Sequence, residues 1–161
     1  MSYNYHIVAN FPSNRNYKGT LKMYNASGSL VFGPVDALGR GSNRDENNGD
    51  HTQWKLKYAD IPTGEYETTV VGPNTPESTY GPYKRVWLNH ALNGNAKIAE
   101  ANGRNEIMIH GGDPDDNPSN TWYPLHPTLG CIRLSNSNQY TLINAIAAAG
   151  SGTGLITINN I

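Results

Sequence analysis

The chain holds one cysteine, Cys131, in "HPTLGCIRLSN" (His126–Asn136), with an arginine two places on. Upstream, "NEIMIHGG" (Asn105–Gly112) runs a short apolar stretch into His110 and then a double glycine. A thiol and an imidazole together can do nucleophilic acyl chemistry. The thiol's reference pKa is about 8.5, so it needs a base or a cation at hand to react near neutrality. An imidazole serves as that base once a third group fixes its tautomer. A free cysteine followed by isoleucine in a strand is also an ordinary core residue, and buried thiols are commonly inert. Three local features oppose that plain reading. Gly130 allows a close approach or a positive-φ turn just before the thiol. Arg133 shares a face with Cys131 if the segment is extended, and a core face rarely takes an unpaired guanidinium. Glycines also clear space beside His110.

Other groups compete for the chemistry. His126 precedes Pro127 in an irregular segment, where simple exposure is the ordinary outcome. His90 lies in "VWLNHAL" and fits core or solvent alike, while His6 and His51 have no supporting context. No HxxxH or HExxH pair and no second cysteine is present, so no metal site is expected. "DPDD" (Asp113–Asp116) resembles the start of a calcium loop but lacks the glycine and glutamate at the required offsets, and reads as a solvated loop.

The elements that must position these residues are mostly strands. Charged residues make up only 16% of 161 residues, while Gly (17) and Pro (10) are plentiful, a mix that suits short strands joined by many turns. Strand patterns cover Tyr5–Phe11, Gly19–Gly33 with a hairpin turn at "NASG" (Asn25–Gly28), Ile61–Gly72, Tyr83–Leu92, Asn105–Gly112, "GCIRLS", and the closing "GLITINNI". Asn105–Gly112 is apolar enough to be a central strand. The polar stretch Gly39–Gln53 reads as a mobile surface loop, and "PNTPESTYGP" as another loop. "DPDDNPSNTWYPLHPT" is irregular, with Pro114, Pro118 and Pro124 before His126. One stretch is helical: "SNSNQYTLINAIAAAG" offers Ser135 or Ser137 as N-cap, a stripe of Leu142, Ile143 and Ile146, and Gly150 as the stop. The fold class is therefore mainly β, with one or two helices, the clearest following the cysteine strand. No repeat and no internal boundary appear, so residues 1–161 are expected to form a single domain.

The chain's 12 basic and 13 acidic residues give a formal charge of −1, which argues for neither nucleic acid nor an anionic membrane surface as partner. One cysteine excludes an internal disulfide. No apolar run approaches the roughly 18 residues that span a bilayer. The first residues, "MSYNYHIVANF", lack the basic and apolar regions of a secretory signal.

Taken together, these segments resemble the catalytic domain of L,D-transpeptidases (the YkuD type). That signature is a histidine and, after a connection of limited length, Ser or Thr, a variable residue or His, Gly, Cys, and then Arg or Asn. Here 17 residues, 111–127, separate His110 from Thr128, Leu129, Gly130, Cys131, Ile132 and Arg133. "IPTGEYETTVVG", "EIMIHGG" and "GCIRLSN" resemble the family's strands, in the family's order. Leu129 departs from the histidine common before Gly-Cys, and the proline-rich connection is longer than many.

The resemblance implies a β-sandwich or barrel and an enzyme without cofactor acting on peptidoglycan stem peptides. Cys131 would attack the carbonyl that follows the diaminopimelate at position three, His110 would be the base, and the carbonyl of Gly111 or Gly112 would orient it. The N–H groups of Leu129, Gly130 and Cys131, with Thr128 beside them, would form the oxyanion hole. Arg133 would bind a stem carboxylate or steady the loop. Loss of the terminal D-Ala gives a thioester, which an amine or water resolves. Family members work outside the cytoplasmic membrane. A chain without a Sec signal therefore resembles wall-targeting toxins of type VI secretion, which act in a target's periplasm and are held in check by an immunity protein. The alternatives are a housekeeping crosslinking enzyme, an inert wall-binding module, or a papain-like amidase. The last is disfavoured, because it places the cysteine before the histidine and at a helix start.

Overall fold

A computed structural model describes residues 3–42 and 50–161. Strand β1 (Tyr5–Phe11) alternates strictly, with Tyr5, Ile7, Ala9 and Phe11 buried. It pairs antiparallel with β2 (Gly19–Asn25) and parallel with β8 (Gly154–Asn160). The Asn25–Gly28 turn leads β2 into β3 (Leu30–Ala37), closed by the Asn25 side chain, which accepts from the N–H groups of Ser27 and Ser29. Across β8 lies β4 (Gly64–Val71), then β5 (Arg85–Asn93), β6 (Ile107–His110) and the two-residue β7 (Ile132–Arg133). The single sheet has the order β3-β2-β1-β8-β4-β5-β6-β7. Leu38, just past β3, bridges to Arg133 through two backbone hydrogen bonds of 3.0 and 2.9 Å. The two ends of the sheet thus meet, and the eight strands form a nearly closed barrel.

The interior is one apolar cluster that includes Ile7, Leu21, Met23, Val86, Ile109, Ile132 and Ile156, with Leu142 and Ile146 of a helix packed into it. That helix, which follows the cysteine strand, is the one legible in the sequence. Three helices are present among the described residues. Helix α1 is a single turn, Glu77–Tyr80, inside the stretch expected to be loop. Helix α2, Gly94–Ala101, joins β5 to β6 and buries Ala96 and Ala99. Its two turns carry only alanines inward, too weak a stripe to stand out in the sequence. Helix α3, Asn136–Ala148, starts at Ser135, whose hydroxyl accepts from the Asn138 N–H (3.1 Å), and ends before Gly150 at φ +102°.

The expected surface loop Gly39–Gln53 fares differently in its parts. Residues 43–49 lie outside the described residues. The near flank is not a loose surface segment: Gly39 packs against Phe11 and Ile61, and Gly41 N–H donates to the buried Asp60 carboxylate. No described helix is long and apolar enough to cross a membrane.

Candidate active site

Two adjoining strands place the candidate groups. β5 runs antiparallel to β6 with Val86 opposite Ile109, and β6 runs parallel to β7 with Ile109 opposite Ile132. Those residues face the core, so their neighbours face the other way. On that outer side the register sets His110 beside Arg133. Cys131, two residues before Arg133, falls on the same side as a diagonal neighbour of His110, within reach of long side chains. The two residues singled out in the sequence thus lie on one face of neighbouring segments.

His110 is 2% exposed, and its Nδ1 lies 2.6 Å from the Gly111 carbonyl. A carbonyl only accepts, so Nδ1 carries the proton and Nε2 is left with its lone pair. Burial is the main reason its pKa falls to about 4; the Arg133 and Arg85 guanidiniums push it down as well, against the Gly111 hydrogen bond. The ring of Tyr80 meets the imidazole edge-on, with centroids 5.3 Å apart. Gly112 follows at φ +141°, and its N–H donates to the Asn136 side chain (2.7 Å), so the start of α3 anchors the chain as it leaves the histidine.

Cys131 sits at the end of a tight turn. The Thr128 hydroxyl oxygen accepts from both the Gly130 and Cys131 N–H groups (3.1 and 2.7 Å), while the hydroxyl donates to the Cys131 carbonyl (2.9 Å). Gly130 holds φ +102°, and a Cβ there would press on the Arg104 guanidinium. The thiol directs its hydrogen bond to the Glu106 carbonyl (3.8 Å) and makes none to the imidazole in the resting site. Burial pushes the thiol pKa up, against the Met108 backbone and the Arg104 and Arg85 charges that favour the thiolate. Thiol and imidazole are both neutral at rest.

The other expected residues are distributed unevenly. Of the three N–H groups assigned to an oxyanion hole, those of Gly130 and Cys131 already meet Thr128, while Leu129 N–H has no partner among the described residues and its side chain is exposed. Arg133 is buried, and its Nε and Nη2 donate to the carbonyls of Leu134 and Asp113. It thereby ties the end of β7 to the chain that follows His110. The other histidines are engaged elsewhere: His126 with Asp115, His51 with Asp60, His90 with Glu67, and His6 with Thr157. "DPDD" is not uniformly solvated. Asp115 is buried and accepts from Asn120, Trp122 and His126, which ties the irregular connection together. No described group of three His, Cys, Asp or Glu side chains is arranged to hold a metal.

Arg104 went unnoticed in the sequence. It is 3% exposed and donates to four backbone carbonyls, those of Trp54 (2.5 Å), Asp60 (2.6 Å), Ala59 (2.8 Å) and Gly130 (2.9 Å). It therefore clamps the turn that carries Cys131 to the 54–60 segment. The only available signal was a charge placed directly before an apolar strand. A cavity of about 210 Å³, lined by Tyr66, Trp87, Glu100, Arg104 and Glu106 among others, adjoins the thiol through Arg104 and Glu106.

No curated protein matches the chain. The family model of the L,D-transpeptidase catalytic domain (YkuD) matches residues 5–153. The match takes in β1 to β7 and stops just before β8, and it covers both segments that carry Cys131 and His110. With barrel, register and family model in agreement, the chain belongs to the L,D-transpeptidase catalytic-domain family.

Proposed function

We propose that Cys131 is the nucleophile and His110 the general base of an enzyme that cleaves the bond between diaminopimelate and the terminal D-residue of peptidoglycan tetrapeptide stems. One observation carries this reading: Cys131 and His110 share the outer face of adjoining strands, and the Gly111 carbonyl leaves Nε2 of the imidazole free to take a proton. Because both groups are neutral at rest, Nε2 accepts the thiol proton as sulfur attacks the carbonyl. The carbonyl oxygen becomes an oxyanion, which the Leu129 N–H is free to meet; the Gly130 and Cys131 N–H groups serve as they turn from Thr128 toward it. Each such donor is worth roughly 10²–10³ in rate in acyl transfer. The tetrahedral centre collapses, the C–N bond breaks, and the leaving amine takes the proton back from His110. A thioester on Cys131 remains. Water then releases a tripeptide, a free D-amino acid exchanges the terminus, and a second stem's amine yields a crosslink.

The test is to incubate the protein and its Cys131→Ala variant with disaccharide-tetrapeptides, with and without D-Met, and weigh the products. Release of D-Ala or its exchange for D-Met, absent in the variant, supports the thiol enzyme and identifies the acceptor. Intact tetrapeptide in both samples favours an inert wall-binding module. The site of action follows from the substrate: such stems lie outside the cytoplasmic membrane, and we place the enzyme there, in the wall of a target cell if it is a delivered toxin with a cognate immunity protein. Directed to the periplasm of a Gram-negative host, the toxin form is expected to deplete tetrapeptide donors and stop growth in a Cys131-dependent way. A housekeeping crosslinker raises crosslinks instead and leaves growth intact.

A further inference from the structure

The register that pairs Val86 with Ile109 and Ile109 with Ile132 sets three residues in one row on the outer face: Arg85 on β5, His110 on β6 and Arg133 on β7. Two guanidiniums therefore flank the imidazole, and they are not equivalent. Arg133 is buried and committed to two backbone carbonyls. Arg85 is half-buried. Its Nε donates to the Gly72 carbonyl (3.1 Å), and one terminal nitrogen rests 2.8 Å from the Met108 sulfur, a weak acceptor. Its guanidinium carbon lies 5.7 Å from the centre of the Tyr80 ring, the ring that meets His110 edge-on. No carboxylate of the described residues pairs with it. A cation held by a ring and a thioether, with donors to spare, is prepared for an anion that the protein does not itself supply.

We propose that Arg85 binds the free C-terminal carboxylate of the departing D-residue, so that the enzyme selects stems that end at that residue. This inference rests on the stem-peptide reading above and adds the feature that selects the donor. The order of groups supports it. Along the substrate, the attacked carbonyl carbon is followed by the leaving nitrogen, then by the α-carbon bearing the carboxylate. Across the sheet, the sulfur of Cys131, just before β7, is followed by the imidazole on β6 that must protonate that nitrogen, then by the guanidinium on β5. Neighbouring strands stand about 4.8 Å apart, a step that matches such an extended dipeptide unit. Arg133 is buried beside the cysteine, whereas the half-buried Arg85 is the guanidinium that a carboxylate can reach.

Binding to the Cys131→Ala protein measured by calorimetry tests this directly, with disaccharide-tetrapeptide ending in D-Ala as the free acid or as its carboxamide. The acid is expected to bind about 10–100-fold tighter, the range of a charge-assisted hydrogen-bonded pair. Arg85→Gln in the same background should bring the acid down to the amide's affinity, and Arg85→Lys should retain part of the difference. Equal binding of acid and amide, a preference that survives Arg85→Gln, or no binding of either ligand overturns the proposal. The acid–amide comparison needs no change at Arg85, so it decides the matter even if a variant folds poorly. Turnover separates the two readings. An Arg85-dependent preference in a wild-type protein that releases no D-Ala leaves the carboxylate site standing and removes the reaction. Equal kcat/KM on acid and amide leaves the reaction standing and removes the site.

Discussion

At the scale of the residue, the environment of His110 sets how the chemistry depends on pH. A base must be neutral to accept a proton, and burial holds this imidazole's pKa at about 4. The acid limb of kcat/KM is therefore expected near pH 4, well below the ordinary histidine value of about 6.5, because activity persists until pH falls through the depressed pKa. The thiol's raised pKa adds a companion expectation: iodoacetamide should alkylate Cys131 more slowly at pH 7.5 than it does a small free thiol. An acid limb near pH 6.5, read from D-Ala release across a pH series, would contradict the buried, neutral base. Much of this site was legible in the sequence. Alternation in a strand is enough to put Arg133 on the face of Cys131, and the glycines around His110 and Cys131 announced close approach. Arg104, Arg85 and Tyr80 were not legible. Their partners are backbone carbonyls and rings brought in from distant strands, and no local spacing encodes such contacts.

At the scale of the element, the turn that carries Cys131 is short, and Arg104 holds it from outside. Replacing Arg104 with methionine keeps much of the side chain's bulk while removing four hydrogen bonds to buried carbonyls. The expected cost is about 3–5 kcal/mol, as for breaking a buried charged network, seen as a lower midpoint in urea denaturation. Arg104→Lys should recover part of it, since an ammonium restores some donors but not the planar fork. In the same experiment, alkylation of Cys131 in the folded Lys variant should speed up as the turn loosens. Elements were unequally visible in the sequence for a physical reason. The β2–β3 hairpin and α3 carry side-chain chemistry at their ends, an Asn turn and a Ser cap, whereas α2 is two turns long and buries only alanines. The two-residue β7 is defined by its neighbours rather than by its own composition.

At the scale of the whole molecule, the same histidine links function to stability. Its folded pKa of about 4 lies below the unfolded value of about 6.5, so between these values the unfolded chain binds more protons. Stability from this group is full above about pH 6.5 and declines as pH falls to about 4, by about 3 kcal/mol in all. Thermal melts of the protein and of His110→Gln across pH 7 to 4 should therefore converge toward the acid end, since the variant has no imidazole to protonate. Parallel melting curves for the two proteins would contradict this.

The bridge between Leu38 and Arg133 gives the molecule a seam, and β7 is one lip of it. That seam joins residues almost a hundred positions apart, so β7 has both its neighbours only when the first three strands have docked. A copy cut after residue 38 would lose β1, β2 and β3 along with the backbone partners of β7, and would bare one edge of β8 as well. Exposed edges of that kind invite other chains rather than substrate. A copy proteolysed there would therefore aggregate, and the nearly closed barrel acts as the chain's own proof of assembly.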